Sequence, residues 1–225
     1  MGSAELPESR VLVEGYDLRS GSGKAAGLVL AAGESSRMGG AVKQLLPAEG
    51  GTLLSRVLRA ALQSELNTVV LVLGHKSKLV ADSLDEETRQ SPKLVITENP
   101  DYNKGMSTSL VAGLGAVAET HDWIMVLLGD MPKIYPGLIN RVLRETVSSG
   151  GHLGAVRVKG RRSLPAVIGR RYYPELFRLE GDVGAREIFR SHSSEVHLVD
   201  VDDYDDRDID TPDEYLRYKV ELEKD

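Results

Sequence analysis

The sequence predicts an α/β domain with a mostly parallel central sheet, and three observations support this fold class. Short apolar runs rich in Val, Leu and Ile recur along the chain, as expected for strands that are buried on both faces. Segments with apolar residues at three- and four-residue steps, the pattern of amphipathic helices, lie between these runs. The 225 residues suffice for one such domain with a substantial core. In such a fold the carboxyl ends of parallel strands meet at one sheet edge, where ligands usually bind.

From residue 25 to residue 150, predicted strands and helices alternate in chain order. The first strand, 26–31, is the apolar run before a glycine-rich loop. The helix at 52–64 is predicted because apolar side chains recur at helical spacing, at Leu54, Val57, Leu58, Ala61 and Leu62. Continuous apolar runs predict the next strands, at 68–73, 93–97 and 123–128. Helical spacing predicts the remaining helices of this half, at 76–84, 105–119 and 136–149. This alternation is typical of parallel βαβ units.

The alternation breaks at Gly150-Gly151. Beyond it we predict strands at 153–158, 165–168 and 196–201 and short helices around 172–178 and 184–191. A last helix is predicted from about residue 212, because Thr211 suits the N-cap, Pro212 the first helical position and Glu214 the capping box. We therefore predict that residues 25–225 form a single domain, in which 151–200 is an insertion or lid.

The N-terminal residues 1–24 differ in character from the rest of the chain. They end in the stretch Ser20-Gly21-Ser22-Gly23-Lys24, which is typical of a flexible linker. A weak apolar alternation between Val11 and Leu18 leaves an extra edge strand as an alternative. We predict an N-terminal extension or linker here, and whether it is native to the protein is left open.

Composition and charge narrow the class of protein. Hydrophobic residues make up 41% of the chain and charged residues 28%, as in soluble globular proteins. The formal net charge of −6 leaves no domain-wide basic surface, so no nucleic-acid partner is expected. The chain has no cysteine, which excludes disulfides, thiolate catalysis and cysteine-based zinc sites and fits a cytoplasmic protein. No apolar run approaches 18 residues, so no membrane span is predicted.

The loop after the first strand carries the strongest functional signal. It contains three glycines, Gly33, Gly39 and Gly40, and two cations, Arg37 and Lys43. A flexible backbone with free N–H groups and two nearby cations suits a triphosphate. The spacing fits neither G-x-x-x-x-G-K-[ST] nor G-x-G-x-x-G. An ordinary strand–loop–helix turn is the alternative.

Three aspartates form a second signal. Asp130 lies at the mouth of the apolar strand 123–128, where a carboxylate is costly unless it meets a cation or a helix N-terminus. It is either a Mg²⁺ ligand or the cap of the helix that follows near Tyr135. Asp208 and Asp210 alternate around Ile209, so they could face the same side and complete a carboxylate site with Asp130.

The polar segment from Asn99 to Leu110 follows a strand and opens a helix. Its N-terminus could receive a base, ribose or phosphate. Equally, Ser107 or Thr108 could be the N-cap. The five histidines show no metal-ligand spacing, and only His75, after the second strand, is expected near the site.

These four elements, in this order, resemble those of the MobA-like nucleotidyltransferases. The best match is the branch that includes molybdenum cofactor cytidylyltransferase. The motifs are the Leu30–Gly39 loop with Lys43, the Gly129–Pro132 strand end, the Asp208–Glu214 helix start and the Asn99–Ser109 segment. The resemblance covers about residues 25–222. It implies a Rossmann-like three-layer domain of the nucleotide-diphospho-sugar transferase type and Mg²⁺-dependent transfer of a nucleoside monophosphate.

The resemblance also implies roles for individual residues. Arg37, Lys43 and Asp130 would be catalytic, and Mg²⁺ would be bound by Asp130, Asp208 and Asp210. The nucleotide would be bound by Ala31, Ala32, Gly33, Ser35, Arg37, Lys43, Gly74, Gly105 and Ser109. The acceptor side would be formed by Ser163, Leu164, Pro165, Asp182 and Arg186.

The expected partners are a nucleoside triphosphate, with CTP favoured, and a phosphorylated small-molecule acceptor such as molybdopterin. Two departures bear on this expectation. The interval from Arg37 to Lys43 is one residue longer than the family's commonest form. The family's cytidylyltransferases tend to have Gly-His-Pro where this chain has Ser163-Leu164-Pro165, so the pterin acceptor is the part in doubt. The alternatives are a sugar- or alcohol-phosphate nucleotidyltransferase, a non-catalytic nucleotide-binding accessory protein for molybdoenzyme maturation, and a module that binds no nucleotide. The oligomeric state is not predicted.

Overall fold

The computed structural model describes residues 23–222. The extension predicted for residues 1–24, with its alternative strand between 11 and 18, lies outside the described residues except for Gly23 and Lys24. Within the described range, a seven-stranded sheet lies between two layers of helices, which confirms the predicted α/β class. No helix among these residues is long and apolar enough to cross a membrane.

The bounds of the elements are as follows. The strands are β1 (Ala25–Ala31), β2 (Pro47–Ala48), β3 (Gly51–Thr52), β4 (Thr68–Leu73), β5 (Leu94–Glu98), β6 (Trp123–Leu128), β7 (Leu153–Val158), β8 (Arg161–Gly169) and β9 (Val196–Asp200). The helices are α1 (Leu53–Leu62), α2 (Ser77–Asp82), α3 (Glu86–Gln90), α4 (Met106–Gly115), α5 (Pro136–Ser148), α6 (Tyr173–Leu176), α7 (Arg186–Ser191) and α8 (Pro212–Leu222).

The central sheet has the order β5-β4-β1-β6-β8-β7-β9. Strand β8 is antiparallel to both of its neighbours, and every other pair in the sheet is parallel. All seven predicted strands are present. The structure adds the short β2–β3 hairpin and helix α3, which are too short to carry a hydrophobic period.

The segment 151–200, predicted as an insertion or lid, lies on one side of the central sheet. It contributes β7, β8 and β9 to one side of the central sheet, and α6 and α7 pack on that sheet. Its strands find antiparallel partners in β6 and in each other, and β9 pairs in parallel with β7.

The core has one half on each face of the sheet because side chains alternate along the strands. In β1, Val29 packs with α1 and α5 on one face, whereas Leu28 packs with α4 on the other, and both are fully buried. Burying a side chain of this size contributes roughly 1.5–3 kcal/mol. Gly113 brings α4 close to the sheet, since a Cβ there would lie 2.8 Å from the Val72 side chain. The start of α4 is thereby held beside the carboxyl ends of β1 and β4.

Candidate active site

The loop after β1 folds back onto the end of its own strand. Its turns need left-handed backbone, with φ of 57° at Ser35, 60° at Gly39 and 92° at Gly40. The buried Gln44 amide donates to the Ala31 carbonyl at 3.2 Å, and the Lys43 backbone N–H donates to Ser35 Oγ at 3.2 Å. These bonds hold the Lys43 side chain over the sheet edge.

Two cations and two carboxylates meet at this edge. Lys43 Nζ contacts Asp130 Oδ2, and it lies 2.8 Å from Asp210 Oδ1. Arg37 Nη2 lies 2.7 Å from Asp210 Oδ2. The chain between Asp208 and Asp210 is anchored here because the Ile209 N–H donates to the Asp130 carbonyl at 3.1 Å, and Ile209 is buried. The three sequence segments predicted to converge are therefore in direct contact.

The carboxylates also have the arrangement of a cation site. Oxygen atoms from Asp130, Asp208 and Asp210 lie within 4.8 Å of one another. Asp130 is 4% exposed, and its Oδ1 is buried without a hydrogen-bond partner. An orphaned, buried carboxylate oxygen is costly unless something binds it. Carboxylate oxygens are the preferred ligands of hard divalent ions, so the residues present fit such an ion.

The charges in this cluster shift one another's protonation. Burial, opposed by Lys43, raises the pKa of Asp130 above its usual value. Burial alone would lower the pKa of Lys43, but Asp130 and Asp210 outweigh that effect and raise it, so the ammonium stays charged. Burial likewise opposes ionisation of Asp210, yet Lys43 and Arg37 hold the pKa of this carboxyl below its usual value. The cluster is thus a net acidic site with a cation inside it.

A cleft of about 620 Å³ opens above the cluster, and we call it the nucleotide cleft because several residues predicted to bind nucleotide line it. Its far wall is the start of α4, where Gly105 has a φ of 117°. The loop at Gly181 closes this wall, because Ser107 Oγ donates to the Gly181 carbonyl at 2.8 Å. Ser109 lines the cleft and accepts a hydrogen bond from the Asn99 amide at 3.0 Å.

Most residues predicted to bind nucleotide or metal line this cleft: Ala32, Gly33, Arg37, Lys43, Gly105, Ser109, Asp130, Asp208 and Asp210. Three do not. Ala31 is buried, and its carbonyl accepts the hydrogen bond from Gln44. Ser35 Oγ accepts the hydrogen bond from the Lys43 backbone inside the loop. Gly74 lies behind the loop, where a Cβ would come within 2.8 Å of the Ala32 carbonyl. The roles of all these residues in binding stay predictions.

Two capping alternatives are wrong and one capping prediction is confirmed. Asp130 does not cap α5, whose N-cap residue is Tyr135. Neither Ser107 nor Thr108 caps α4, since both lie inside a helix whose N-cap residue is Gly105. At the start of α8, the Thr211 N–H donates to Glu214 Oε2 at 2.8 Å and the Glu214 N–H to Thr211 Oγ1 at 3.3 Å, which is the predicted capping box. His75 packs edge-on against Tyr102 and does not line the cleft.

A second cleft, of about 560 Å³, lies on the other side of Leu128 and Asp208, which line both; we call it the arginine cleft. Ser163, Leu164 and Arg186 line it, as predicted for the acceptor side. Pro165 is buried beneath the surface, and Asp182 lines the nucleotide cleft instead. Further residues that were not predicted also line the clefts: Glu34, Gln44 and Lys104 in the nucleotide cleft, and Arg161, Arg162, Phe189, Arg190 and Arg207 in the arginine cleft. The paired arginines at 161 and 162, directly before the predicted acceptor segment, were the available signal.

Comparison with known proteins gives relatives over most of the chain. Nicotine blue oxidoreductase of Paenarthrobacter nicotinovorans is 32% identical over 199 residues, which cover 85% of this chain and 94% of that protein. Molybdenum cofactor cytidylyltransferase of Escherichia coli is 34% identical over 115 residues, 51% of this chain and 56% of that protein. The second match therefore spans about half of each chain.

Solved structures share the fold. Rv0371c from Mycobacterium tuberculosis has 29% identity and a TM-score of 0.75, over 88% of this chain and 97% of that one. A complex of Rv0371c with manganese has 28% identity and a TM-score of 0.71, over 87% and 97% of the two chains. The model of the MobA-like NTP transferase domain matches residues 27–196. Because this model covers most of the chain, and the fold and the convergent site agree with it, the chain belongs to the MobA-like NTP transferase family and is a nucleotidyltransferase.

Proposed function

We propose that this enzyme acts in the cytoplasm and, with Mg²⁺, transfers a nucleoside monophosphate from a triphosphate to a phosphorylated acceptor, with CTP favoured. One observation carries the proposal: Lys43, Arg37 and the carboxylates of Asp130, Asp208 and Asp210 converge on one cleft at the carboxyl end of the sheet. Cations for phosphate and oxygen ligands for a divalent ion are the two requirements of this chemistry.

The transfer step is a substitution at phosphorus. An acceptor phosphate oxygen forms a bond to the α-phosphorus while the bond from that phosphorus to the bridging oxygen breaks. The electron pair of the broken bond leaves on pyrophosphate. An ionised phosphate needs no strong general base, so the residues act mainly by positioning and by neutralising charge. Arg37 suits a bidentate contact to phosphate oxygens, and Lys43 a point contact.

Asp130, Asp208 and Asp210 would hold the divalent ion, which when bound supplies positive charge to the phosphates. The orphaned Asp130 Oδ1 supports this assignment. The nucleotide cleft is lined by three basic and five acidic residues. A triphosphate entering such a cleft would be repelled unless further positive charge came with it.

The chemical identity of the acceptor is supported by fewer observations than the transfer reaction. The cytidylyltransferase relative supports molybdopterin, although its match covers only about half of each chain. Leu164 stands where the resemblance expects histidine and lines the arginine cleft, so an acceptor recognised there by a histidine would lose that contact. A sugar phosphate or alcohol phosphate is therefore the alternative acceptor.

A second candidate function comes from the relative that matches over most of the chain and whose name describes oxidoreduction of nicotine blue. A redox function would need no pyrophosphate release. An accessory protein for molybdoenzyme maturation would also bind nucleotide without releasing pyrophosphate.

The test is a pyrophosphate-release screen that crosses the four nucleoside triphosphates with molybdopterin and common sugar and alcohol phosphates. Each pair is measured with Mg²⁺, with Mn²⁺ and with EDTA. The proposal expects metal-dependent release with CTP above the other triphosphates, and loss of release in Asp130→Asn. The exposed Asp202→Asn serves as the matched control variant. Nucleotide binding without release under all conditions would overturn the transfer function, and turnover of nicotine blue would favour the second candidate.

A further inference from the structure

One edge of the central sheet is open. Strand β5 pairs with β4 on one side and is the terminal strand of the described sheet on the other. The Val69 N–H donates to the Lys93 carbonyl at 2.8 Å, just before β5 begins. The Asn99 N–H donates to the Leu73 carbonyl at 2.7 Å, just after β5 ends. Backbone groups alternate in direction along a strand, so those of Ile96, midway between Lys93 and Asn99, face away from β4. They can form hydrogen bonds with a further strand.

The side chains at this edge are apolar and exposed. Val95 is 39% exposed and Ile96 is 44% exposed. Proteins usually protect an open edge with proline, lysine or a bulge. None of these occurs from Leu94 to Glu98, where the register with β4 is unbroken. On the opposite edge of the sheet no apolar side chain of β9 is exposed, and Asp200 at its end pairs with Arg157 at 2.5 Å. The exposed apolar edge is therefore particular to β5.

The carboxyl end of β5 lies beside a basic turn. Ser77, the first residue of α2, donates through Oγ to Glu98 Oε1 at 2.6 Å, and this bond ties the helix to the last residue of β5. Lys76 and Lys78 flank Ser77, and both are exposed. With Glu98 included, this end of the edge carries an excess of positive charge.

The amino end of β5 lies beside an acidic helix. Helix α3 leads into β5, and the exposed Asp85, Glu86 and Glu87 form its N-cap and first turn. Arg89 and Lys93 are the basic groups at this end. The Lys93 ammonium donates to two carbonyls at the end of α1 and in the turn after it, so the acidic groups remain in excess. Charge therefore changes sign along the edge, from acidic where β5 begins to basic where it ends.

This change of sign selects the direction of an incoming strand from a second copy. Parallel pairing of two β5 strands would bring like charges together at both ends, whereas antiparallel pairing brings each basic turn to the other copy's acidic helix. Val80 of α2 and Leu84 in the turn before α3 pack in the same half of the core, so both helices lie on one face of the sheet. A two-fold axis perpendicular to the sheet keeps this face in common, so the helices of the two copies meet on the same side.

We propose that two copies of this chain associate through antiparallel β5 strands, about a two-fold axis beside Ile96. The two sheets, of seven strands each, then form one continuous sheet. Val95 and Ile96 are covered in this arrangement, and the burial of their side chains drives the association. Because the strands of the two copies run in opposite directions, the nucleotide clefts lie at opposite edges of the joined sheet. Each copy keeps its own site, and the association does not depend on the transfer function.

The first experiment is size-exclusion chromatography of the full chain with light scattering, at a series of micromolar concentrations. We expect a mass that rises with concentration toward twice the chain mass of 24.5 kDa. Ile96→Lys places a charge on the edge and should weaken association at least about tenfold, because two such charges would meet at the axis. Leu216→Lys is the matched control, since Leu216 is 58% exposed but lies on α8. It should leave the mass unchanged. Circular dichroism verifies that both variants fold.

A charge exchange tests the direction of pairing. One variant carries Lys76→Glu and Lys78→Glu, and the other carries Glu86→Lys and Glu87→Lys. Each variant alone sets like charges against each other at both ends of the edge, so each should be mainly monomeric. In an equimolar mixture every basic cluster meets an acidic one, so the mixture should dimerise.

Three results would overturn the proposal: a full chain that stays monomeric at every concentration, a dimer that Ile96→Lys leaves intact, or charge-exchanged variants that fail to dimerise when mixed. Dissociation by Leu216→Lys alone would instead assign the interface to α8. Pyrophosphate release is measured separately, so its presence or absence decides the transfer function and leaves the interface untouched.

Discussion

Replacing Lys43 with methionine should strengthen metal binding and weaken turnover in the same variant. The Lys43 ammonium contacts Asp130 and Asp210, two of the three carboxylates proposed to hold a divalent ion. A cation paired with these carboxylates repels the ion and competes with it for the same two carboxylate groups. Methionine keeps most of the side-chain length and removes the charge, so the competition ends while the aliphatic packing remains.

The magnitude follows from the charges involved. Two unit charges about 4 Å apart repel by about 4 kcal/mol at an effective dielectric constant of about 20. The Lys43 side chain is 16% exposed, so it can move toward solvent and relieve much of this repulsion. We therefore expect a gain of at least about tenfold in Mn²⁺ affinity, or about 1.4 kcal/mol. Turnover should fall by about 10²–10³, the usual cost of removing one preorganised charge-stabilising group.

The assay has two readouts of opposite sign. Mn²⁺ binding without nucleotide is measured by electron paramagnetic resonance, and pyrophosphate release is measured with the triphosphate that the screen identifies. Lys104→Met is the matched control, because Lys104 lines the same cleft but pairs with Asp101 at 2.8 Å, away from the carboxylate cluster. Unchanged or weaker Mn²⁺ binding in Lys43→Met would refute the reasoning, since it would mean that the ammonium assembles the carboxylates rather than occupying their site.

Three further predictions concern the site and its supports. Asp130→Asn should lower pyrophosphate release by about 10²–10³ with a normal circular dichroism spectrum, because an amide is a poorer ligand than a carboxylate. Gly105→Ala should lower the free energy of unfolding in urea by more than about 1 kcal/mol. The reason is that Gly105 has a φ of 117° and that a Cβ there would collide with the Gly181 backbone. As the control, Gly115→Ala should be neutral or stabilising, because Gly115 lies in a helix with open space around it. Burial lowers the pKa of His121, which is neutral in the fold, so stability should fall as the pH drops below about 6.5, and His121→Asn should flatten this dependence.

Each of these predictions has a contradicting result. Near-normal turnover in Asp130→Asn would remove that residue from the metal site. Equal stability of the two glycine variants would show that the loop at Gly181 moves freely away from α4. A loss of stability between pH 7.5 and 5.5 that is the same with and without His121 would assign the dependence to other groups.

The fold could be predicted from the sequence because its main strands are long, continuous and apolar. Residues 68–73 and 123–128 match β4 and β6 to the residue. The place of the strands of 151–200 in the sheet could not be predicted, because a strand's pattern shows that it is buried but not which strand it pairs with. Strand pairing depends on contacts far apart in sequence, such as Met125 with Val167.

The site was predicted less completely, for a different physical reason. Motifs identified the segments that converge, but the backbone path decides which residue of a segment faces the cleft. Ala31 and Ser35 lie in the predicted loop, yet their polar atoms are taken by Gln44 and by the Lys43 backbone. Gln44 belongs to none of the motifs. Only the structure shows that its side chain is 2% exposed and supports the loop by donating to the Ala31 carbonyl.

Charge distribution was the feature furthest beyond the reach of the sequence. The net charge of −6 gave no indication that an excess of positive charge lines one cleft, because pairing depends on three-dimensional neighbours. Arg161 and Arg162 are adjacent in sequence, but the first is paired with Asp206 and the second is anchored to a backbone carbonyl with its charge unbalanced. In the nucleotide cleft the carboxylates of Asp130 and Asp210 pair with the Lys43 ammonium, so the proposed divalent ion would compete with that charge. In the arginine cleft, Arg162 and Arg186 form no ion pair among the described residues.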